Sequence, residues 1–170
     1  PADPAALRPI QLLGYPYRLL AKVLANRLLP AAGQIIDPAQ CAFLRGRHIG
    51  DSVRILQSLP VLLREQGSSA VAALLDFAKA YDTVDCGFLL AVAERLGVGP
   101  GFAAWVRVLL TDTYSCACVN GFRSSFFPCR AGVRQGCPLA PLLYLFVGQA
   151  LVSLWRDRGV GGPTADGRAV

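Results

Sequence analysis

Val71-Ala-Ala-Leu-Leu-Asp76-Phe-Ala-Lys-Ala-Tyr81-Asp82-Thr-Val84 is the stretch that decides the fold of this chain. The residues before Asp76 are all apolar, which predicts a short buried strand from Val71 to Leu75. A carboxylate at the end of a buried strand is costly unless it is paired or bound to a metal. A lone aspartate at this place is also compatible with a helix cap, so the rest of the sequence has to decide the role of Asp76.

The composition predicts a folded domain that does not cross a membrane. With 170 residues, 54% of them hydrophobic, the chain can build one sizeable core or two small subdomains. The best candidate for a membrane span, Leu139 to Trp155, is interrupted by Pro141 and Gly148 and falls short of the roughly 20 residues required. We therefore expect a buried helix there. Because no signal peptide is visible and the chain starts without Met, we expect an excised piece of a longer intracellular protein.

Charge and cysteine content restrict the classes of partner. The net charge is +6, and of 17 cationic residues only Lys22 and Lys79 are lysines. A basic domain rich in arginine favours a polyanionic partner, although an arginine-biased genome gives the same composition. The six cysteines form no Cys-x-x-Cys pair and the single histidine, His48, is remote from them. We therefore expect free thiols and no structural zinc.

Apolar residues recur at helical spacing in five segments. The predicted helices are Tyr15–Leu29, Asp51–Leu63, Cys86–Leu96, Phe102–Leu110 and Leu139–Trp155. Between the last two of these segments, Asn120-Gly121 is a strong signal for a β-hairpin. Its predicted strands are Ser115–Val119 and Ser125–Cys129.

Details of these helices are also predictable. Pro30 is expected to end the first helix, and Asp51 or Ser52 is expected to cap the second, with a kink or break near Pro60. We assign Pro138 to the first turn of the last helix. The apolar residues expected to face the core are Leu19, Leu20, Val23, Leu24 and Leu28 in the first helix, Val53, Leu56, Leu59 and Leu63 in the second, and Trp105, Val108 and Leu109 in the fourth.

Two further segments have the composition of ligand-binding loops. In Gly132-Val-Arg134-Gln135-Gly136-Cys-Pro138-Leu-Ala-Pro141, the glycines permit close approach of the backbone. The N–H groups at the start of the following helix favour a phosphate or nucleotide. In the second segment, Arg45 and Arg47 flank Gly46 and can reach a bound ligand. A plain helix entry and a loop with solvated arginines are the corresponding structural alternatives.

The string from Asp76 to Val84 closely resembles the first catalytic motif of reverse transcriptases, in the form used by non-LTR (LINE-like) retrotransposons. The segment from Gly132 to Pro141 is similar to the second core motif of that family. The segments Arg8–Leu13 and Gln40–Asp51 are similar to its fingers region. The resemblance covers about Arg8 to Gly162.

The departures from the family pattern are small. Ala140 stands where the family commonly has Ser, Tyr81 where many relatives have Phe, and Gln11 where Ser is frequent.

The resemblance implies a mixed α+β fold, the fingers and palm of a right-hand polymerase, with antiparallel palm strands backed by helices. Residues 1–69 correspond to the fingers portion and residues 70–162 to the palm portion, and residues 163–170 are expected to be a frayed tail. The family also uses an aromatic-x-Asp-Asp motif and a thumb, neither of which occurs in these 170 residues. The fragment alone is therefore predicted to be inactive.

The resemblance further implies nucleotidyl transfer by RNA-directed DNA polymerisation, with two Mg²⁺ ions as cofactors. Asp76 would supply one bridging carboxylate, and the backbone carbonyl of Phe77 would serve the second metal. Asp82 could be taken for a second metal ligand, but its position in the family pattern points to a structural role. The residues implied at the nucleotide are Tyr81, under the sugar, with Gln135, Arg134 and Gly136 in the pocket. Arg45 and Arg47 are secondary candidates for contacts between the fingers and the template or nucleotide.

The partners implied are an RNA template, a DNA primer and a deoxynucleoside triphosphate, with the nucleus favoured over the cytoplasm as the place of action. Two alternatives use the same residues. A group II intron maturase has the same chemistry, and a decayed or domesticated copy would bind RNA without catalysis. An unrelated α/β domain is the third alternative.

Overall fold

The computed structural model describes residues 10–161 and the backbone of Thr164–Ala165 and Arg168–Ala169. Five helices and short antiparallel strands make this a mixed α+β protein, as predicted. The helices are α1 (Tyr15–Ile35), α2 (Ile49–Glu65), α3 (Cys86–Arg95), α4 (Pro100–Leu110) and α5 (Ala140–Asp157). The strands are β1 (Thr113–Ser115), β2 (Cys118–Val119), β3 (Phe122–Arg123), β4 (Phe127–Cys129), β5 (Thr164–Ala165) and β6 (Arg168–Ala169).

Two sequence predictions fall partly outside the described residues. Residues 8–9, which open the first segment similar to the fingers region, are not among them. Of the predicted tail at 163–170, only the backbone of β5 and β6 is described, and these strands pair antiparallel. The division into fingers and palm portions stays a prediction.

The core lies where α1, α3, α4 and α5 pack together. Phe146 in α5 and Leu89 in α3 are completely buried, and so is Leu139 just before α5. Burial of apolar surface of this kind stabilises a domain by about 25 cal/mol per Å². The loop residue Val133 also belongs to this core, which ties the second motif to the helices.

Helix α1 differs from its prediction in length and in its buried side. It continues through Pro30 to Ile35, so the predicted stop at Pro30 is wrong. The stabilisation from burying Leu28 and Ala32, on either side of the proline, outweighs the backbone hydrogen bond that the proline cannot make. The buried side is rotated towards the alanines, and of the predicted core residues Leu19 and Val23 are exposed.

A buried aspartate fastens the end of α1 to α5. The side chain of Asp37 is 2% exposed and forms an ion pair with Arg156. Its backbone N–H donates to Oε1 of Gln149 at 2.8 Å. The segment after α1 and the last turns of α5 are therefore held by one residue.

Helix α2 contains no buried residue. It begins two residues earlier than predicted, with His48 as the residue before its first turn, and continues through Pro60 to Glu65. The side chain of Asp51 accepts from the His48 backbone N–H at 3.3 Å, so Asp51 acts from within the first turn. The predicted apolar side with Val53 and Leu56 is exposed because no described element makes extensive contact with it.

Helices α3 and α4 confirm their predictions closely. Asp85 caps α3, since its carboxylate accepts from the Phe88 N–H at 2.6 Å. Gly97, with φ +91°, ends the helix in a conformation that favours glycine. In α4 the predicted core residue Leu109 is buried, whereas Trp105 and Val108 are half-exposed or more, so that part of the prediction is wrong.

The hairpin is confirmed, with two paired segments. Strand β1 pairs with β4 and β2 pairs with β3, both antiparallel. The turn is Asn120-Gly121, and both residues have positive φ, as a type I′ turn requires. Ser115 lies opposite Phe127, and the Ser124 N–H donates to the Ala117 carbonyl. The chain between β3 and β4 therefore carries one residue more than the chain between β1 and β2, which forms a bulge.

The predicted buried strand Val71–Leu75 is wrong. No strand pairs with it among the described residues, and its side chains are exposed, Val71 by 97% and Leu74 by 88%. Local apolar character makes a segment suitable for a strand, but only a neighbouring strand can supply the backbone hydrogen bonds. The segment runs instead across an apolar groove of about 830 Å³ beside α5.

Helix α5 confirms the predicted helix at Leu139–Trp155, with many of its residues buried. The helix begins at Ala140, so Pro141 and not Pro138 occupies its first turn. In the described part of the chain, no helix has the length and hydrophobicity needed to cross a membrane.

Candidate functional site

The structure brings the two sequence motifs together around one cleft of about 640 Å³. One wall is the turn that follows the 71–75 segment, and the other is the loop that leads into α5. The cleft is lined by Asp76, Phe77, Ala78, Lys79, Ala80, Tyr81, Asp82, Arg134, Gln135, Gly136, Cys137, Ala140 and Pro141.

Backbone hydrogen bonds hold the two walls together. The Val133 N–H donates to the Tyr81 carbonyl at 2.7 Å, and the Gly132 N–H donates to the Val84 carbonyl at 2.8 Å. Gly132 has φ +89°, and a Cβ there would lie 2.9 Å from the Asp82 carbonyl oxygen. Only glycine fits this approach, which explains its presence at the start of the motif.

A tight turn shapes the first wall. Lys79 has a positive φ of 50°, and its carbonyl accepts from the N–H of Asp82 at 2.8 Å and of Thr83 at 3.2 Å. This turn reverses the chain so that Asp76 and Asp82 both line the cleft.

Asp76 is the acid in the cleft with a free carboxylate. It is exposed and forms no hydrogen bond or ion pair with the described residues. A carboxylate and the neighbouring Phe77 carbonyl are hard oxygen donors of the kind that Mg²⁺ prefers. Within residues 10–161, no three acidic, cysteine or histidine side chains cluster in a way that could hold a metal ion. The donors present therefore fit part of a magnesium site.

Asp82 is engaged with the other wall. The Nε2 group of Gln135 lies 3.2 Å and 3.3 Å from the two carboxylate oxygens of Asp82. This contact joins residues from both motifs, 53 positions apart in the sequence.

Tyr81 packs against an aromatic residue of α5. Its ring stacks on that of Tyr144 with centroids 5.1 Å apart and an angle of 18° between the planes. Burial, and next the neighbouring Tyr144, raise the pKa of Tyr81. Burial, and next the negative charge of Asp76, raise the pKa of Tyr144. Both phenols therefore stay neutral, and the pair forms a flat, rigid floor.

Arg134 lines the cleft, but its guanidinium is drawn inward. The residue is only 8% exposed. Burial raises the pKa of Tyr17, and the nearby Arg134 charge partly opposes this. Burial would also raise the pKa of Cys129, but hydrogen bonds from Ser115 and Arg134 lower it below its ordinary value. Gly136, with φ +96°, lines the cleft with its backbone.

Arg45 and Arg47 do not reach the cleft. Both terminal (Nη) nitrogens of the Arg47 guanidinium donate to backbone carbonyls at the end of α1 and beyond it. These belong to Gly33, Ile36, Asp37 and Gln40. Arg45 is exposed and does not line the cavity. The structure thus gives Arg47 a structural use, which the sequence pattern of two arginines around a glycine did not reveal.

Two residues of the cleft region were given no role from the sequence. Lys79 lines the same cleft as Asp76, and Tyr144 supports Tyr81. Lys79 had a visible signal, because it lies within the motif and is one of only two lysines. Tyr144 had none, because a tyrosine inside an apolar helix is typical of a packed core.

Comparison with known proteins places these motifs in a wider context. Residues 2–161 match the family described as reverse transcriptase (RNA-dependent DNA polymerase). The chain is 32% identical over 162 residues to the Pol polyprotein of the type-1 retrotransposable element R2 of Popillia japonica. It is 30% identical over 154 residues to the transposon TX1 149 kDa protein of Xenopus laevis. It is also 30% identical over 146 residues to the RNA-directed DNA polymerase of the mobile element jockey of Drosophila melanogaster.

These similarities cover most of the chain but a small part of each relative. They include 94%, 91% and 85% of this chain, respectively. The chain spans only 22%, 12% and 16% of the length of those relatives.

Proposed function

Because the chain belongs to the reverse transcriptase (RNA-dependent DNA polymerase) family, we propose that it forms the nucleotide-binding part of an RNA-directed DNA polymerase of a non-LTR retroelement. The proposed reaction is attack of a primer 3′-hydroxyl on the α-phosphate of a deoxynucleoside triphosphate, directed by an RNA template. The observation that carries this proposal is the cleft, in which Asp76, Tyr81 and Gln135 from two distant motifs meet.

Each wall of the cleft has a distinct task in this proposal. Asp76 and the Phe77 carbonyl would hold Mg²⁺, which supplies charge stabilisation at the attacking and leaving oxygens when it is bound. Tyr81, held flat by Tyr144, would lie under the sugar and exclude a 2′-hydroxyl by its bulk. Gln135 and the Gly136 backbone would contact the nucleotide, and Lys79 offers a cation to its phosphates.

Partners and location follow from the same proposal. The substrates would be an RNA template, a DNA primer and a deoxynucleoside triphosphate, in keeping with the net charge of +6. A retroelement polymerase that works at chromosomal targets would act in the nucleus. Names of relatives such as R2 and jockey favour a retrotransposon over a group II intron maturase.

Asp76→Asn tests the proposal in the protein expressed from the complete reading frame. We expect Mg²⁺-dependent primer extension by the wild type and a loss of at least about 1,000-fold in the variant, because a metal-bound carboxylate supplies several kcal/mol. The matched control is Asp112→Asn. Asp112 is exposed with φ +51°, a conformation that Asn also adopts readily, so activity should not change.

Two results would contradict the proposal. Equal primer extension by wild type and Asp76→Asn would remove Asp76 from the metal site. RNA binding without any DNA synthesis by the wild type would instead favour the decayed or domesticated RNA-binding protein.

A further inference from the structure

We propose that Asp82 is a positioning residue that fixes the side-chain amide of Gln135 in one orientation and turns its oxygen towards the nucleotide. The inference rests on the proposed function for the identity of the ligand. It goes beyond a purely structural role for Asp82, because the orientation of an amide decides which ligand groups can pair with it.

The first step is the direction of the hydrogen bonds. Nε2 of Gln135 lies within 3.2 Å and 3.3 Å of the two oxygens of Asp82. An ionised carboxylate accepts hydrogen bonds and cannot donate them. The NH₂ side of the amide must therefore face Asp82, and a flipped amide would place oxygen against oxygen. Asp82 thereby removes the usual ambiguity between the two orientations of a glutamine.

The second step concerns the other end of the amide. With Nε2 directed at Asp82, Oε1 of Gln135 is the acceptor atom of the amide, and no described group donates to it. Gln135 lines the cleft together with Asp76 and Tyr81. An amide oxygen can only accept, so its partner on a ligand must be a donor. A hydroxyl of the sugar or an amino group of a base meets this requirement, and a phosphate oxygen does not.

The third step is the rigidity of the pair. The Asp82 N–H is bound to the Lys79 carbonyl at 2.8 Å, and the Asp82 carbonyl packs against Gly132. On the other wall, the Cys137 N–H donates to the Arg134 carbonyl at 3.0 Å and fixes the turn that carries Gln135. Both partners are therefore set by backbone contacts before a ligand binds, and such preorganisation lowers the entropic cost of binding.

Hydrogen exchange in the full 170-residue chain tests the contact without requiring any activity. The side-chain NH₂ resonances of Gln135 are assigned by their absence in Gln135→Ala. We expect Asp82→Ala to accelerate their exchange roughly tenfold, because a hydrogen bond to a charged group is lost. Asp82→Asn keeps the size and one acceptor, so a smaller acceleration is expected. The control Asp85→Asn alters a neighbouring carboxylate that caps α3 and should leave the Gln135 resonances unchanged.

Unchanged exchange in a folded Asp82→Ala protein overturns the proposal. If that variant does not fold, Asp82→Asn decides in the same way, since an exchange rate equal to that of the wild type overturns the contact.

Polymerase kinetics test the second half of the proposal, the orientation of Oε1 of Gln135 towards the nucleotide. They use the protein expressed from the complete reading frame. We expect Asp82→Asn to raise KM for the deoxynucleoside triphosphate several-fold with kcat within about twofold, because only ligand binding uses the oriented Oε1. A lower kcat with unchanged KM overturns the orientation of Oε1 towards the nucleotide. If even the wild type lacks polymerase activity, the proposed function fails and this half fails with it, while the exchange experiment still decides the Asp82–Gln135 contact.

Discussion

At the residue scale, the cleft depends on positions where one atom more or less changes the contact between its walls. Gly132 shows this most clearly, since the space for a Cβ is taken by the backbone of Tyr81 and Asp82. Its positive φ adds a second reason for glycine.

Gly132→Ala is therefore expected to lower the free energy of unfolding by about 3 kcal/mol, through steric overlap and backbone strain. The measurement is denaturant unfolding of the 170-residue chain. Gly50→Ala is the matched control, because that glycine lies in α2 with open space around it. There alanine should stabilise the protein by up to about 1 kcal/mol, since it is the better helix former. Equal effects of the two substitutions would contradict the close approach at Gly132.

Residue-scale reasoning from the sequence identified residues that meet in one cleft, and their catalytic and nucleotide-binding roles stay predictions. Asp76, Tyr81, Gln135 and Gly136 line one cleft because the spacing within each motif fixes which side chains share a wall. It did not reveal the contacts of Arg47, whose bonds to carbonyls at the end of α1 depend on a chain reversal that is not visible in the local sequence.

At the element scale, the ion pair of Asp37 and Arg156 links the end of α1 to the end of α5. Asp37 is buried, so removing Arg156 would leave a charge without its partner.

Arg156→Ala is expected to cost on the order of 2 kcal/mol of stability, less than for a fully buried pair because Arg156 itself is largely exposed. The measurement is the midpoint of denaturant unfolding. Arg158→Ala, two residues further on and also exposed, should change stability by no more than about 0.5 kcal/mol. A similar loss of stability in both variants would mean that the change in net charge, and not the Asp37–Arg156 ion pair, is responsible.

Helix α2 is expected to fray in acid. A hydrogen bond from Arg54, and next the bond from the His48 backbone, lower the pKa of Asp51 below its ordinary value of 3.8. A carboxyl with a lowered pKa in the folded state stabilises the fold fully above its unfolded value, and this contribution is lost as the pH falls through the folded value. Amide exchange in α2, corrected for its intrinsic dependence on pH, should therefore accelerate below pH 3.8. Asp51→Asn should abolish that acceleration, and its persistence in the variant would exclude Asp51 as the cause.

The elements that the sequence predicted well are those stabilised locally. The Asn120-Gly121 turn, predicted from the sequence, acts within a few residues of itself. The same holds for the cap of α3 at Asp85 and the stop at Gly97, which the structure shows at the two ends of the predicted helix. The errors at Pro30 and at Val71–Leu75 have the opposite cause. Core packing extends α1 past its proline, and the absence of a pairing strand among the described residues leaves an apolar segment exposed.

At the scale of the whole molecule, the described residues form the helical support and the two motif loops of the proposed polymerase site. Asp76 is the single cleft acid with a free carboxylate, and the described ranges contain no cluster of three acidic, cysteine or histidine side chains that could hold a metal ion.

The 170-residue chain by itself is therefore expected to give no Mg²⁺-dependent DNA synthesis, because two-metal catalysis needs more carboxylates than Asp76 alone. The measurement is primer extension on an RNA template, with an active reverse transcriptase as the positive control. DNA synthesis that disappears in Asp76→Asn would refute this expectation, since it would show that the chain already contains a working site.

The exposed segment 71–75 has a consequence for how the protein behaves in solution. Val71-Ala-Ala-Leu-Leu offers unpaired backbone groups and apolar side chains next to an apolar groove of about 830 Å³. Short segments of this composition, without proline or charge, are the ones that nucleate intermolecular β-structure. Concentrated samples of the isolated chain should therefore aggregate with time. A single charged substitution at Ala72 or Leu74 should extend their colloidal lifetime without touching the cleft.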